Sequence, residues 1–300
     1  MKILSLFLSC LLLAVGSLAQ QQVAIPEQPP KQQAVLDPHL AGEYVGQLNE
    51  KGLAHGPGKA TGRDVYEGLF QNGLPDGTGT YHWADGDLYT GQFAKGDLDG
   101  IGTYTINNGD AYQGQWVGGK VEGRGTFTWA NGNSYAGEYS KNKRNGFGVF
   151  TWANGDKFEG EWVDGSRQGK GTFVMVSGDS YDGQWISDNV NGKGTFAWAN
   201  GDKYIGEWKN GVRDGFGIFT TTNGDKYEGY WKEGLRNGKG TYWAANGDKY
   251  VGDWKQDKAN GKGEFFWANG DKYAGEYKDG EPSGGFYYWP DGKKERFPAE

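Results

Sequence analysis

Cysteine is almost absent from this chain: 300 residues hold one, Cys10. It sits in an apolar run, Ile3 to Val15, that follows Met1-Lys2 and precedes the small residues of Ser17-Leu18-Ala19. A positive start, a short apolar centre and a small-residue site have the order of a secretory signal peptide, with cleavage expected after Ala19. Lipid attachment at Cys10 fits less well, because the apolar run continues past it. The mature chain then has no cysteine, so neither a disulfide nor a thiolate metal site holds the fold. Histidine is scarce as well: His39, His55 and His82 stand at unmatched positions and do not make a zinc site. Proline numbers only 9, and no Gly-X-Y period runs through the chain, which excludes collagen. Basic residues are outnumbered, 31 against 38, for a net charge of −7 that becomes −8 without Lys2. An acidic chain is poorly suited to nucleic acid or anionic lipid through bulk electrostatics. After the first apolar run, none is long enough to span a membrane, which takes about 20 residues. These features predict a secreted protein, periplasmic or extracellular.

What the chain does have is glycine, 55 residues, and aromatics, 15% of the total. Tight turns with bulky packing residues belong to all-β repeat folds. Tyr-x-Gly recurs from Tyr44, Tyr66, Tyr89, Tyr112, Tyr135, Phe158, Tyr181, Tyr204, Tyr227, Tyr250 and Tyr273. The first interval is 22 residues and the other nine are 23. Gly-x-Gly keeps the same period, from Gly77/Gly79 to Gly261/Gly263, and Asn-Gly-Asp or a variant precedes most of the tyrosines. Three markers with one period indicate an array of eleven units, residues 42–293. A Gln/Pro-rich linker is expected over 20–41 and a short tail over 294–300.

Within one unit, Gly146, Gly148, Phe150 and Trp152 alternate with Phe147, Val149 and Thr151; Phe158, Gly160 and Trp162 alternate with Lys157, Glu159 and Glu161. Period two in both runs predicts two strands. A three-residue loop, Ala153-Asn154-Gly155, pairs Phe150 with Phe158 and Gly148 with Gly160. It puts every aromatic except Phe147 on one face; a two-residue loop would scatter them. The paired glycines leave a flat patch across which a ring can lie. The expected fold is an elongated, solenoid-like, single-layer array of antiparallel hairpins stabilised by packing between units.

The sequences Phe158-Glu159-Gly160-Glu161-Trp162, Tyr204-Ile205-Gly206-Glu207-Trp208 and Tyr250-Val251-Gly252-Asp253-Trp254, with the following Gly-x-Gly and Gly-Asp, resemble the MORN repeat, over about residues 42–293. The resemblance implies a scaffold, a dimerisation rod or a groove for partner segments; lipid contact, which the family's name implies, fits poorly with an acidic array. The tryptophan at the Trp152 position becomes Ile106, Met175, Thr221 and Ala244 elsewhere, and both end units are irregular, as caps require.

No unit carries a catalytic constellation the others lack, so the chain reads as non-enzymatic and without a cofactor. Gly169-Lys170-Gly171-Thr172 and Gly238-Lys239-Gly240-Thr241 fail the spacing of a phosphate loop. The recurring Asp87, Asp110, Asp156, Asp179, Asp202, Asp225, Asp248 and Asp271 read as turn residues, too sparse for a calcium row. Lys141-Asn142-Lys143-Arg144 reads as a solvated basic loop. The aromatic face is expected to exceed what a single layer can cover, leaving a groove for a protein segment or a second copy. Its candidate residues are Trp83, Trp116, Trp129, Trp152, Phe158, Trp162, Tyr181, Trp185, Trp198, Tyr204, Trp208, Tyr227, Trp231, Tyr250, Trp254, Trp267 and Tyr273. Edge carboxylates such as Glu138, Glu161, Glu207 and Glu276 would favour basic partners. Alternative functions are cell-wall glycan binding on the ring platforms and attachment to a membrane surface.

Overall fold

The computed structural model describes residues 37–297. The predicted signal peptide and most of the predicted linker lie outside the described residues. The chain divides into two compact units between Ser166 and Arg167. The first holds β1 (Glu43–Leu48), β2 (Ala54–Thr61), β3 (Val65–Gln71), β4 (Leu74–His82), β5 (Leu88–Ala94), β6 (Asp97–Thr105), β7 (Ala111–Val117), β8 (Lys120–Thr128), β9 (Ser134–Ser140), β10 (Lys143–Thr151) and β11 (Lys157–Val163). β12 (Ser166–Val174) starts at the boundary. The second unit continues with β13 (Ser180–Ile186), β14 (Asn189–Ala197), β15 (Lys203–Lys209), β16 (Val212–Thr220), β17 (Lys226–Lys232), β18 (Leu235–Trp243), β19 (Lys249–Lys255), β20 (Lys258–Phe266), β21 (Lys272–Lys278), β22 (Glu281–Tyr288) and β23 (Lys294–Phe297). No helix occurs among the described residues, and within each unit every strand pairs antiparallel with its neighbours in sequence. The all-β hairpin array expected from the sequence is the observed fold.

Two kinds of turn alternate. The Ala153-Asn154-Gly155 loop has the expected register: Phe150 faces Phe158 and Gly148 faces Gly160. Gly155 N–H donates to Trp152 O at 2.9 Å, and Gly155 has φ +95°, so this position needs glycine. The second turn is a two-residue link, as in Lys209-Asn210-Gly211-Val212, with φ +48° at Asn210 and +81° at Gly211. Two left-handed residues in sequence make the tight turn whose twist suits a hairpin.

Beyond the second turn the pairing slips. Trp208 faces Arg213 but Gly206 faces Gly217, so the opposite strand bulges. A Gln or Glu in the position before the inner-face ring caps that bulge: Gln92, before Phe93, accepts at Oε1 from Ile101 N–H at 2.8 Å, and Gln115, before Trp116, accepts at Oε1 from Arg124 N–H at 3.0 Å. Glu207 Oε2 does the same for Phe216 N–H at 3.4 Å. The Glu of Tyr-x-Gly-Glu-Trp therefore satisfies backbone left unpaired by the bulge.

Both ends extend past the expected boundaries. His39 O accepts from Asp64 N–H at 2.9 Å and Leu40 is fully buried, so residues 37–41 close the first hairpin instead of continuing the linker. Lys294–Phe297 is a paired strand, not tail, and the Phe297 ring lies 5.8 Å from that of Tyr287. Apolar side chains at these positions need burial, which overrides the irregular spacing.

Candidate functional site

The inner face of each unit is built around the tyrosine of Tyr-x-Gly. Tyr204 lies along its own strand over Gly206 and reaches over Gly217 on the next, where a Cβ would come within 2.5 Å of its Cζ. Its hydroxyl donates to Glu207 O at 3.1 Å, and Tyr66, Tyr89 and Tyr135 repeat the bond in the first unit. The flat glycine patch inferred from the sequence is thus occupied by a neighbouring ring. Each tyrosine also meets two indoles or their substitutes edge-to-face: Tyr204 stands 5.1 Å from Trp208 and 5.4 Å from Trp231, Tyr227 5.1 Å from Trp231 and 5.3 Å from Trp254. Such pairs contribute about 0.5–1.5 kcal/mol each beyond the area they bury.

A second layer closes over the indoles. Arg144, Arg167, Arg213 and Arg236 hold their guanidinium groups 4.4, 4.3, 4.0 and 4.2 Å from the ring centroids of Trp162, Trp185, Trp231 and Trp254. Each also donates to a carbonyl in the following turn, Arg213 to Gly234 O at 2.8 Å and Arg236 to Asp257 O at 2.9 Å. Leu98, Val121 and Val190 fill the same place and are buried, as is Arg167, while Arg144, Arg213 and Arg236 are half-buried. Arg144 therefore belongs to the interior, and the expected basic loop reduces to the turn residues Lys141 and Asn142 with Lys143 paired to Asp164 at 3.4 Å.

Of the seventeen candidate groove residues, Trp116, Trp129, Phe158, Trp162, Tyr181, Trp185, Tyr204, Trp208, Tyr227, Trp231, Tyr250, Trp254 and Tyr273 are buried. Trp83, Trp152, Trp198 and Trp267 are half-buried along the loop edge of the same face. A single layer does cover most of its aromatic face, because glycines let rings lie flat and the next unit's rings and arginines roof them. Burial raises the tyrosine hydroxyls above their ordinary 10.0, Tyr250 to about 12.

The recurring aspartates staple consecutive units. Asp202 Oδ1 accepts from Thr222 N–H at 2.9 Å, Asp225 from Ala245 N–H at 2.9 Å and Asp110 from Ala130 N–H at 2.8 Å. Their own N–H groups bond the preceding Asn side chain, as at Asn200–Asp202, 3.0 Å. Burial opposes ionisation of Asp64, but bonds from Arg63, Ala84 N–H and the Tyr81 hydroxyl outweigh it and hold its carboxyl below the usual range. The Gly-Lys-Gly-Thr segments lie inside β12 and β18.

The outer face changes along the chain. In the first unit one outer row reads Thr105, Ala111, Thr128, Ser134, Thr151 and Lys157. Toward the end of the second unit the same row reads Lys226, Trp243, Lys249, Phe266, Lys272, Tyr288 and Lys294 across consecutive strands. Lys226 Nζ lies 4.6 Å from the Trp243 centroid and Lys272 Nζ 5.4 Å from that of Phe266. Beside this row, Ile205, Phe216 and Tyr230 are 48, 42 and 53% exposed. Phe147, predicted alone to face away from the other rings, is 53% exposed.

Inner rings over glycine pairs, two alternating turns and a bulge capped by Glu or Gln define an array of hairpin repeats. The MORN repeat matches ten consecutive segments, residues 66–88, 89–111, 112–134, 135–157, 158–180, 181–203, 204–226, 227–249, 250–272 and 273–294, and the chain belongs to the MORN-repeat family. The unit from Tyr44 lies outside the matched residues but has the same geometry, with the Tyr44 hydroxyl bonded to Gln47 O at 2.9 Å. No curated protein sequence shows significant similarity to the chain. Solved structures with a similar course include the TCP10 domain of Danio rerio CPAP in complex with a peptide of Danio rerio STIL, 12% identical over 70% of this chain and 94% of that one, TM-score 0.41. The SAS-4 (dCPAP) TCP domain of Drosophila melanogaster with a proline-rich motif of Ana2 is 15% identical over 58% of this chain and 88% of that one, TM-score 0.34.

Proposed function

We propose that this protein is an exported, non-enzymatic scaffold that binds an extended protein segment on the outer face of its last repeats. The carrying observation is the replacement of threonine by Trp243, Phe266 and Tyr288 in one outer row while the inner face stays constant. Threonine serves in the same row of other units, so the fold's own packing does not require these half-buried rings. With the exposed Ile205, Phe216 and Tyr230 beside them they add apolar surface that a repeat does not need, which marks an interaction site. Lysines between the rings select an acidic segment with apolar side chains. Lys226 and Lys272 are held by Glu228 and Glu264 at 2.7 and 2.6 Å, while Lys249 has no carboxylate within ion-pair distance among the described residues. The edge glutamates expected to attract basic partners are committed differently, Glu207 to the bulge and Glu138 to Arg124 at 3.7 Å. Export rests on the N-terminal sequence alone, and N-terminal sequencing of the secreted form tests it, with Gln20 expected first.

The binding test is recovery of the mature protein from its own compartment after cross-linking. A double variant, Trp243→Ala with Phe266→Ala, should lose the partner, whereas Trp152→Ala with Trp198→Ala should keep it. The reverse pattern would return the site to the inner face. Size exclusion with light scattering separates a second copy of the chain from a different protein.

A further inference from the structure

We infer that the last repeat holds a binding site for an alkylammonium group, separate from the outer face and independent of its proposed partner. An opening of about 520 Å³ lies on the inner face at the end of the second unit, walled by Trp267, Tyr287, Trp289 and Phe297. The same row is closed where it is regular: the Phe196 and Trp198 centroids are 4.6 Å apart. Here Tyr287 stands 5.9 Å from Trp267 and 6.3 Å from Trp289, with the rings near parallel at 29° and 32°. Three ring faces are thus spread and half-exposed.

One residue also sets this turn apart from the earlier ones. In earlier turns the aspartate Oδ1 receives the N–H twenty residues on: Asp179 from Ala199, Asp202 from Thr222, Asp225 from Ala245, Asp248 from Ala268, at 2.8 to 2.9 Å. The last unit is one residue shorter, so there the matching place falls nineteen residues on, at Pro290, which has no N–H to give. Asp271 Oδ2 keeps its bond from Asn269 Nδ2 at 2.8 Å, but among the described residues nothing takes the place on Oδ1. Asp271 lines the opening, and so does Glu295, which pairs with Tyr287 across β22 and β23. One cation, Arg296, stands at the rim; it alternates with Glu295 and pairs with Phe286, whose side chain is on the outer face.

Electron-rich ring faces with two carboxylates, one of them lacking its usual donor, are complementary to an organic cation. The rings attract the charge through their quadrupoles and the carboxylates neutralise it. An anion would meet Asp271 and Glu295 unfavourably. A neutral apolar ligand would leave Asp271 Oδ1 unpaired, at a cost.

The test is calorimetric titration of the full chain with tetramethylammonium chloride and, separately, n-butylammonium chloride, against sodium chloride at equal ionic strength. The quaternary probe stands for a headgroup and the primary one for a lysine side chain, so their ranking identifies the source of the ligand. Saturable binding is expected for at least one of them. Asp271→Asn should weaken it about tenfold, and Trp289→Ala should abolish it, while Trp83→Ala in the first unit leaves it unchanged. Pro290→Ala supplies the missing N–H, so it should raise the melting temperature and weaken the cation. Equal binding of the neutral isostere 3,3-dimethylbutan-1-ol would overturn the inference. So would no saturable binding of either probe, or binding that survives both Asp271→Asn and Pro290→Ala in variants whose melting shows them folded.

Discussion

Tyr204 lies across Gly206 and Gly217, fully buried, and a methyl group on Gly217 would meet the ring rather than the flexible end of a chain. Gly217→Ala should therefore cost about 1–3 kcal/mol, the range for overpacking a rigid site, read as a fall in denaturation midpoint. Ala at Gly280 meets no atom within 4 Å, but that residue has φ +100°, so its smaller penalty is one of backbone strain. The tyrosines also set a pH limit. Burial raises their folded pKa above the 10.0 of an exposed phenol, to about 12 for Tyr250, so their contribution is complete below pH 10. It is lost as pH rises through the folded value. Absorbance at 295 nm should then report steep phenolate formation coincident with loss of near-ultraviolet circular dichroism. Gradual ionisation near pH 10 with the fold intact would contradict the buried row.

Among the elements, the three-residue loop was legible because only one register gathers the rings, and Phe150 faces Phe158 as that reasoning requires. The second hairpin was not. Its slip between Gly206 and Trp208 breaks strict alternation, so period two does not carry through it. The roof over the indoles was hidden for a different reason. Leu98, Val121, Arg144, Arg167, Val190 and Arg213 occupy one structural position, yet a search for a shared residue type finds none. An arginine beside Lys143 reads as surface until its guanidinium is seen over Trp162. Arg167 is buried and bonds Asp188 Oδ1 at 3.0 Å, so Arg167→Ala should cost on the order of 3 kcal/mol. Arg167→Leu should lose less, since leucine already serves at position 98; equal melting losses would argue that charge, not cover, is what matters there.

Across the molecule, constancy and variation divide between the two faces of the hairpins. The inner face repeats because each ring is both covered and covering, which is why eleven tyrosines or their equivalent could be counted from the sequence. The candidate groove came from the same rows, and those rows are mostly sealed: Trp116, Trp162 and Trp185 are each 1% exposed. The repeat is not obeyed at Trp243, Phe266 and Tyr288, half-buried rings in an outer row that is threonine at 105, 128, 151 and 220. Alternation alone could have flagged these positions, since each stands one residue from an inner-face ring. Asymmetric charge accompanies them: between residues 37 and 166 acidic residues outnumber basic ones 17 to 10, whereas over 167–297 the two are equal at 19.

The most direct test places a photo-activated cross-linking residue singly at 152, 198, 243 and 266 in the cell that makes the protein. The account predicts discrete adducts from 243 and 266 and none from 152 or 198. Adducts from 152 and 198, with 243 and 266 silent, would contradict it and put the partner on the inner face.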